Sequence, residues 1–190
     1  MKKIILASAM LAYSFVAFAD NSITTNNPNF TGFGVGATLG MSKYTDKDPT
    51  GIDFKNITDA HLVASYGFGY GNSDFVGQIE ANVKLNRGTV ATWDEGLGSN
   101  QIRSERGTAY VQGYRVTPDL MPYVKLGYLH TQTRTNSGYT RTWRGVVYGV
   151  GVKYAATRHI EVGAEYANVR FADDNKNRRN GFNVGATYRF

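Results

Sequence analysis

Charged residues of both signs recur inside segments that are otherwise rich in apolar residues and glycine. Grouped in a confined interior, such residues could neutralise one another, because a buried charge is costly unless it is paired. Their mixed signs favour a network of ion pairs over separate charges solvated in a water-filled cavity. The predicted network consists of Glu80, Lys84, Lys125, Lys153, Glu161, Glu165 and Arg189.

A second set of cations lies in two polar stretches and could bind phosphate or sulfate groups. The stretch 131–145, TQTRTNSGYTRTWRG, places arginines beside Tyr139 and Trp143 and contains no acidic residue, whereas ADDNKNRRNG at 172–181 carries both signs. Arginine forms strong, charge-assisted hydrogen bonds with such anions. The predicted anion-binding residues are Arg134, Arg141, Arg144, Arg178 and Arg179.

The motifs that could bind a cofactor or a metal give weaker signals. The stretch 32–40, GFGVGATLG, has a GxGxxxG spacing, but this departs from the dinucleotide fingerprint and no helix is expected after it. His61, His130 and His159 fall in separate segments, so they are not expected to meet at a metal ion. The sequence therefore predicts no cofactor, no metal site and no catalytic nucleophile.

Eight segments with regular apolar alternation must position these side chains. Apolar residues occupy every second position, which is the pattern of β-strands with one apolar face. The least regular segment is the fourth, in which the polar residue Gln112 shares a face with Tyr110 and Tyr114. Either a bulge or a flipped register is compatible with this pattern. The segments lie within 33–41, 60–71, 75–86, 108–116, 122–131, 145–154, 160–167 and 181–190.

The connections between these segments alternate in length. The turns GNSD, TPDLMP and AATRH are short, whereas the stretches around 45–59, 88–105, 131–143 and 171–180 are long and polar. This alternation is typical of antiparallel up-and-down transmembrane β-barrels. A soluble barrel with its apolar face inside would show the same period. Glycine-rich polar faces and aromatic residues at the strand ends favour the all-β, eight-stranded transmembrane barrel.

The first residues have the composition of a secretory signal peptide. Residues 1–19 carry two lysines, a short apolar core and an A-x-A site at Ala17 and Ala19, which predicts cleavage before Asp20. The apolar run is shorter than the roughly 20 residues that a membrane helix needs. The absence of cysteine argues against a lipoprotein or a disulfide scaffold. The predicted divisions are a signal peptide at 1–19, a short periplasmic segment at 20–29 and a barrel at 30–190.

The last residues, VGATYRF, end on an aromatic side chain with a tyrosine two positions before it. This ending resembles the C-terminal signature of outer-membrane proteins. The whole chain resembles the small eight-stranded outer-membrane barrels, the group of the OmpA membrane domain, OmpX, NspA and the Opa proteins. The resemblance implies that Tyr188 and Phe190 form an insertion signal for the barrel-assembly machinery, and that Phe190 closes the barrel against the first strand.

The same resemblance implies a protein of the Gram-negative cell outer membrane, monomeric or weakly associating, in contact with membrane lipids and lipopolysaccharide. It does not select one function, because the group includes adhesins and structural anchors. We interpret the chain as a non-enzymatic surface protein with a structural or surface-interaction role, whose lumen is closed by the charged network. The cationic loops would hold lipopolysaccharide of their own membrane or capture a host or surface polyanion. Export makes nucleic acid an unexpected partner.

Two alternatives stay open at this point. The first is a narrow passive channel for small solutes or apolar compounds. The second is a lipid A-modifying enzyme, since deacylases and palmitoyltransferases also use small barrels. The deacylases carry a His-x-Ser arrangement, which neither His130 nor His159 reproduces.

Overall fold

The structure of this protein is a computed structural model. It describes residues 28–45, 52–54, 56–93, 99–135, 138–172 and 178–190. The predicted signal peptide and its cleavage site lie outside these residues, as does most of the predicted segment 20–29. No helix in the described ranges is long and apolar enough to cross a membrane.

The described residues form ten β-strands. Eight are long, and two short ones, β2 and β5, lie in the long connections. The strands are β1 (Gly32–Thr45), β2 (Ile52–Phe54), β3 (Asn56–Gly69), β4 (Phe75–Lys84), β5 (Gly88–Trp93), β6 (Ser99–Tyr114), β7 (Leu120–Thr135), β8 (Thr140–Ala155), β9 (Ile160–Phe171) and β10 (Arg178–Arg189).

The eight long strands form a closed antiparallel ring. Each pairs with the next long strand along the chain, and β10 pairs with β1 to complete the ring. The short strands pair with each other, and β5 also pairs with β6 beyond the ring. The predicted eight-stranded up-and-down barrel is confirmed. We call the end with the short turns and Phe190 the lower end, and the end with the long connections the upper end.

Apolar side chains point out of the barrel, and polar side chains point in. In β1, Leu39 and Met41 are 60% and 68% exposed, whereas Ser42 and Tyr44 on the other face are buried. The same alternation holds along β10, where Phe182 and Val184 are exposed. This direction is the reverse of that in a soluble barrel. An outward apolar face suits apolar surroundings, which cannot hydrogen-bond to the backbone. The closed ring meets this condition because each strand's N–H and C=O groups bond to the neighbouring strands.

Gln112 keeps the regular position that the alternation gives it, on the outer face of β6. The strand pairs with β4 without a register shift. The Gln112 side-chain carbonyl accepts a hydrogen bond from the Tyr110 hydroxyl at 2.7 Å, and its amide donates to the Val76 carbonyl at 3.3 Å. The bulge or flipped register considered at Gln112 is therefore not what the strand adopts, because tyrosine and backbone partners satisfy the outward amide.

A register shift does occur higher on β6. It lies between Ile102 and Ser104, where β6 pairs with β7. The shift changes which residues face inward, so both Ile102 and Glu105 are buried although they are three positions apart. This part of β6 falls in the predicted connection 88–105, because the strands of the upper half extend beyond the apolar belt.

Two apolar clusters lie inside the barrel, one near each end. The upper cluster consists of Tyr44, Ile57, Ile102, Leu129, Val169 and Phe171, with Trp143 packed against it. The lower cluster consists of Phe30, Val76, Met121 and Ala155. The polar lumen between them contains the predicted ion-pair residues.

Candidate functional site

Glu80 on β4 lies at the centre of the main ion-pair network in the lumen. Its carboxylate oxygens lie 2.9 Å from Lys125 Nζ and 2.8 Å from Lys153 Nζ. Lys125 also reaches Glu165 at 3.0 Å, and the Tyr123 hydroxyl donates to the same carboxylate at 2.9 Å. None of the four charged side chains is more than 13% exposed. The network therefore spans the lumen between β4, β7, β8 and β9.

A separate ion pair lies below this network. Arg189 donates from Nε and Nη2 to the two oxygens of Glu161, at 2.7 and 3.1 Å. Its Nη1 donates to the Gly32 carbonyl at 3.1 Å. Both charged side chains are almost fully buried. The pair joins the last strand to β9 and to the start of β1, close to where the ring closes.

A third group surrounds Glu105 in the upper half of the lumen. Arg179 donates to both carboxylate oxygens, at 2.6 and 2.9 Å. The Thr131 hydroxyl donates at 2.9 Å, and His61 Nε2 lies 3.3 Å from the same carboxylate. The described residues contain no cluster of three or more His, Asp or Glu side chains suited to a metal ion. Glu105 is thus held by an arginine, a hydroxyl and an imidazole.

These contacts correct the assignment of Arg179 to a surface loop. Arg179 belongs to β10, faces the lumen and is 7% exposed. Its position is in phase with the inward residues Gly181 and Asn183, so the alternation of β10 extends further up than the predicted segment. A guanidinium engaged by Glu105 in this way is not part of the outer anion-binding surface.

The seven predicted network residues all form ion pairs, but in three groups instead of one. Lys84 lies apart from the first two groups and pairs with Asp59 on β3. Sequence reasoning missed Asp59, His61 and Glu105 as lumen residues. Asp59 and His61 are in phase with the inward Ser65, which is the signal that could have identified them. The bulge in β6 removed the equivalent signal for Glu105.

Within the described part of the lumen, every inward carboxylate has a cationic partner. Five carboxylates pair with five cations, and Arg115, which is also buried, donates to the Asn29 carbonyl instead. A cavity of about 130 Å³ remains among these groups. The carboxylates are Asp59, Glu80, Glu105, Glu161 and Glu165, and the cations are Lys84, Lys125, Lys153, Arg179 and Arg189.

Phe30 covers the lower end of the lumen. Its side chain is 1% exposed and belongs to the lower apolar cluster. Its backbone φ is 68°, a left-handed conformation that costs an L-residue roughly 1–2 kcal/mol. Gly67 makes room for it, because a Cβ at that position would overlap the Phe30 carbonyl. The residue therefore belongs to the floor of the lumen, which the sequence did not predict.

Six further basic residues lie on the upper parts of β6, β7 and β8, above the apolar belt, and we call this surface the basic face. Arg106 on β6 lies opposite His130 on β7, which lies opposite Arg144 on β8. Arg141 differs from Arg134 and Arg144 in that it is in phase with the inward residues Trp143 and Val147, so it lies at the upper rim of the lumen. The guanidinium of Arg141 stacks on the Trp143 ring, 4.0 Å from its centroid. The basic face consists of Arg103, Arg106, His130, Arg134, Arg141 and Arg144.

The structure thus brings three of the predicted anion-binding residues together and adds three that were not predicted. Residues 120–160 contain no acidic residue at all. Arg178 lies elsewhere, on β10 opposite Arg170 and Thr45. Since β9 separates β10 from β8, Arg178 is not part of the basic face.

Almost the whole chain matches a known family. The model of the family described as outer membrane protein beta-barrel domain matches residues 5–190. The chain belongs to this family. The lower end of this outer-membrane barrel is periplasmic, the upper end is extracellular, and the exposed apolar belt contacts lipid.

Solved structures give the same fold. Ail, the attachment invasion locus protein of Yersinia pestis, is 17% identical, with a TM-score of 0.61 over 83% of this chain and 97% of Ail. Neisserial surface protein A is 14% identical, with a TM-score of 0.57 over 83% of this chain and 97% of that protein. Comparison with curated proteins gives no match. At these identities the likeness shows the fold alone.

The C-terminal residues of the outer-membrane barrel complete the ring as the sequence predicts. The Phe190 backbone N–H donates to the Phe33 carbonyl at 2.9 Å, and the two rings stack at 5.7 Å. Tyr188 packs on Phe190 edge to face and stacks on His159. The terminal aromatic residue is therefore exposed to lipid and attached to the first strand. Its use as an insertion signal stays a prediction.

Phe190→Ser is expected to reduce the amount of folded barrel in the outer membrane several-fold. Serine keeps the backbone hydrogen bond to Phe33 but removes the ring that the assembly machinery is expected to bind. Quantitative immunoblots of outer-membrane fractions, with and without periplasmic proteases, measure the effect. Tyr128→Ser, which removes a lipid-facing aromatic residue far from the C-terminus, is the control. Equal membrane levels in the two variants would mean that the Phe190 side chain contributes only packing and is not an insertion signal.

Proposed function

We propose that this protein is a surface-interaction protein whose basic face binds polyanions carrying sulfate or phosphate groups. The observation that carries the proposal is the acid-free β7–β8 hairpin, whose exposed arginines are joined by two more from β6. Adjacent strands lie about 5 Å apart, so the cations form a row that matches a chain of anions better than a single ion. Arginine also forms the strongest hydrogen bonds with such groups.

The basic face has two levels with different expected ligands. The lower row, Arg106, His130 and Arg144, follows directly on the apolar belt and is suited to the phosphates of the surrounding lipopolysaccharide. Arg134 lies four residues further along β7 than His130, roughly 13 Å at 3.3 Å per residue. Arg103 in the β6 register shift and Arg141 at the rim of the lumen lie near this level, and we call the three arginines the upper row. The upper row is therefore suited to a polyanion that arrives from outside.

The relatives of known structure support this reading only as an analogy. Ail was crystallised in complex with sucrose octasulfate, a heparin analogue. That complex is a property of Ail, and the low identity transfers no binding residue. What it adds is that a barrel of this fold can present a sulfate-binding surface.

The closed lumen supports a binding role over a passive channel. Three groups of ion pairs and the Phe30 floor lie along the path that a solute would take. We also propose that the protein is not an enzyme, since its histidines are engaged at Glu105, at the Arg189 carbonyl and on the outer basic face. Conductance of the purified barrel in a planar bilayer tests the channel alternative, which a steadily open pore would favour.

Replacing the upper row together, Arg103→Gln, Arg134→Gln and Arg141→Gln, is expected to weaken heparin binding at least tenfold at low salt. Each arginine lost removes one electrostatic contact with the polyanion. Because salt screens such contacts, the affinity of the wild-type protein should also fall steeply as the salt concentration is raised. Binding is measured by surface plasmon resonance on detergent-solubilised barrel free of lipopolysaccharide. The lower-row variant, Arg106→Gln, His130→Gln and Arg144→Gln, is expected to lose lipopolysaccharide instead.

The control removes three cations that do not belong to the basic face, Lys43 on β1, Arg170 on β9 and Arg178 on β10. This variant has the same net charge as the upper-row variant, so it separates a located site from general electrostatic attraction. If it loses heparin binding to the same extent, the basic face is not the site. Folding of all variants is checked by heat-modifiable gel mobility, and it is expected to be unchanged because the side chains are exposed.

A further inference from the structure

The periplasmic mouth of the lumen is covered by residues 28–31, which belong to no strand. The Thr31 backbone N–H and hydroxyl both donate to the Pro28 carbonyl, at 3.2 and 2.6 Å, which folds the segment into a tight turn. The turn directs the Phe30 ring into the barrel against Val76, Met121 and Ala155. We call residues 28–31 the stopper.

The stopper is in a strained conformation. Phe30 is the one non-glycine residue with positive φ in the described part of the chain. A bulky residue keeps such a backbone only where its surroundings enforce it, and residues of this kind cluster at functional sites. The strain is released when the ring leaves the mouth, so the closed position depends on the contacts that hold it.

The contacts that hold it include four side-chain hydrogen bonds, none of which is part of a β-ladder. The Asn29 side-chain amide donates to the Pro118 carbonyl at 3.0 Å and to the Asp119 carboxylate at 2.8 Å. Arg115 donates to the Asn29 carbonyl at 3.3 Å, and Gln78 donates to the Phe30 carbonyl at 2.8 Å. The stopper can therefore come off without breaking a hydrogen bond between paired strands.

Gln78 connects the stopper to the ion-pair network. Its amide nitrogen binds the Phe30 carbonyl, and its side-chain oxygen accepts a hydrogen bond from Lys153. Lys153 in turn pairs with Glu80 at 2.8 Å. Withdrawal of Phe30 would leave Gln78 without its backbone partner and expose the lower side of the network to periplasmic water.

We propose that residues 28–31 are a removable stopper, and that its withdrawal admits water and small ions from the periplasm into the lumen. In the closed state the Phe30 ring seals the periplasmic mouth. In the open state, periplasmic water and small ions reach the lower side of the network at Lys153. This access is independent of the basic face, so loss of either leaves the other intact.

The first experiment measures whether Phe30 seals the mouth. The chain has no cysteine, so Val76→Cys, fully buried in the same cluster as the Phe30 ring, gives a single reporter thiol of similar size to the residue it replaces. Labelling by a membrane-impermeant maleimide is expected to be at least tenfold faster when Phe30→Gly is added. Glycine adopts the φ of 68° without strain, so the variant removes the ring and keeps the turn. The exposed reporter Tyr139→Cys should label at equal rates in both backgrounds. Equal rates for the Val76→Cys reporter would overturn the proposal.

The second experiment measures whether the stopper moves. Asn29→Cys and Asp119→Cys place two thiols where the side chains are now hydrogen-bonded, and a short bis-methanethiosulfonate linker joins them reversibly. The measurement uses the Glu80→Ala background, in which the network no longer closes the lumen. In planar bilayers, the linked barrel is expected to show at least tenfold fewer conducting events than the same molecules after reduction. An event frequency that is equal in the two states, whether zero or not, would contradict a removable stopper.

Discussion

Arg179→Met is expected to lower the free energy of unfolding by about 3–5 kcal/mol, because it leaves a buried carboxylate without its cation. Glu105 has no exposed side-chain surface, and Arg179 supplies two of its hydrogen bonds, at 2.6 and 2.9 Å. After the substitution only the Thr131 hydroxyl and His61 remain within reach of that carboxylate. Urea titrations of the barrel in detergent or lipid, followed by tryptophan fluorescence and gel mobility, measure the change.

The neighbouring arginine provides a matched control. Arg178→Met removes the same side chain one position away, but on the outer face of β10. A substitution on an outer surface away from buried partners is expected to change stability by no more than about 0.5 kcal/mol. The double variant Glu105→Leu and Arg179→Met should recover most of the loss, since an apolar pair can replace a buried ion pair at little cost. A double variant as unstable as Arg179→Met alone would mean that the site depends on charge itself.

The fold and much of the lumen could be predicted because both follow from a period of two. The alternation fixes which residues share a face, and the closed ring fixes which face meets lipid. Lys125 and Glu165 lie in regular segments, so their inward positions and their opposite charges were enough to predict a pair. The same reasoning extended to Asp59 would have found its pairing with Lys84.

What the sequence did not reveal lies where the period is interrupted or ends. One extra residue near Ser104 reverses the faces of β6, and no residue type there marks the bulge, so Glu105 was assigned to a connection. Its partner Arg179 is predicted in a loop for a different reason: residues 178–180 are all polar, so the apolar alternation of β10 ends below it. Phe30 precedes the first strand, so it is not part of any alternation from which its inward position could be predicted. The cross-strand row of Arg106, His130 and Arg144 depends on register, which the sequence of each strand does not contain.

The central network should respond most strongly at Glu80, which holds two lysines. Glu80→Ala leaves Lys153 with only the Gln78 side chain and the Tyr123 ring, 5.3 Å from its ammonium group. Lys125 keeps Glu165 at 3.0 Å. The expected loss is about 3–5 kcal/mol of unfolding free energy, larger than for Glu165→Ala, because Lys125 still has Glu80 in that variant. Water that enters the lumen would reduce both values.

A double-mutant cycle separates pairing from packing in this network. If Glu80 and Lys153 are coupled, Glu80→Ala combined with Lys153→Met should cost less than the sum of the single changes, by about 0.5–3 kcal/mol. Conductance gives an independent readout, because the unpaired charges should hydrate and admit ions that the parent excludes. Val162→Ala, on the lipid face of β9, should leave conductance unchanged. A parent barrel that conducts steadily, with Glu80→Ala altering only its ion selectivity, would make the lumen an open aqueous path, and the channel function would then replace the binding role as the main activity.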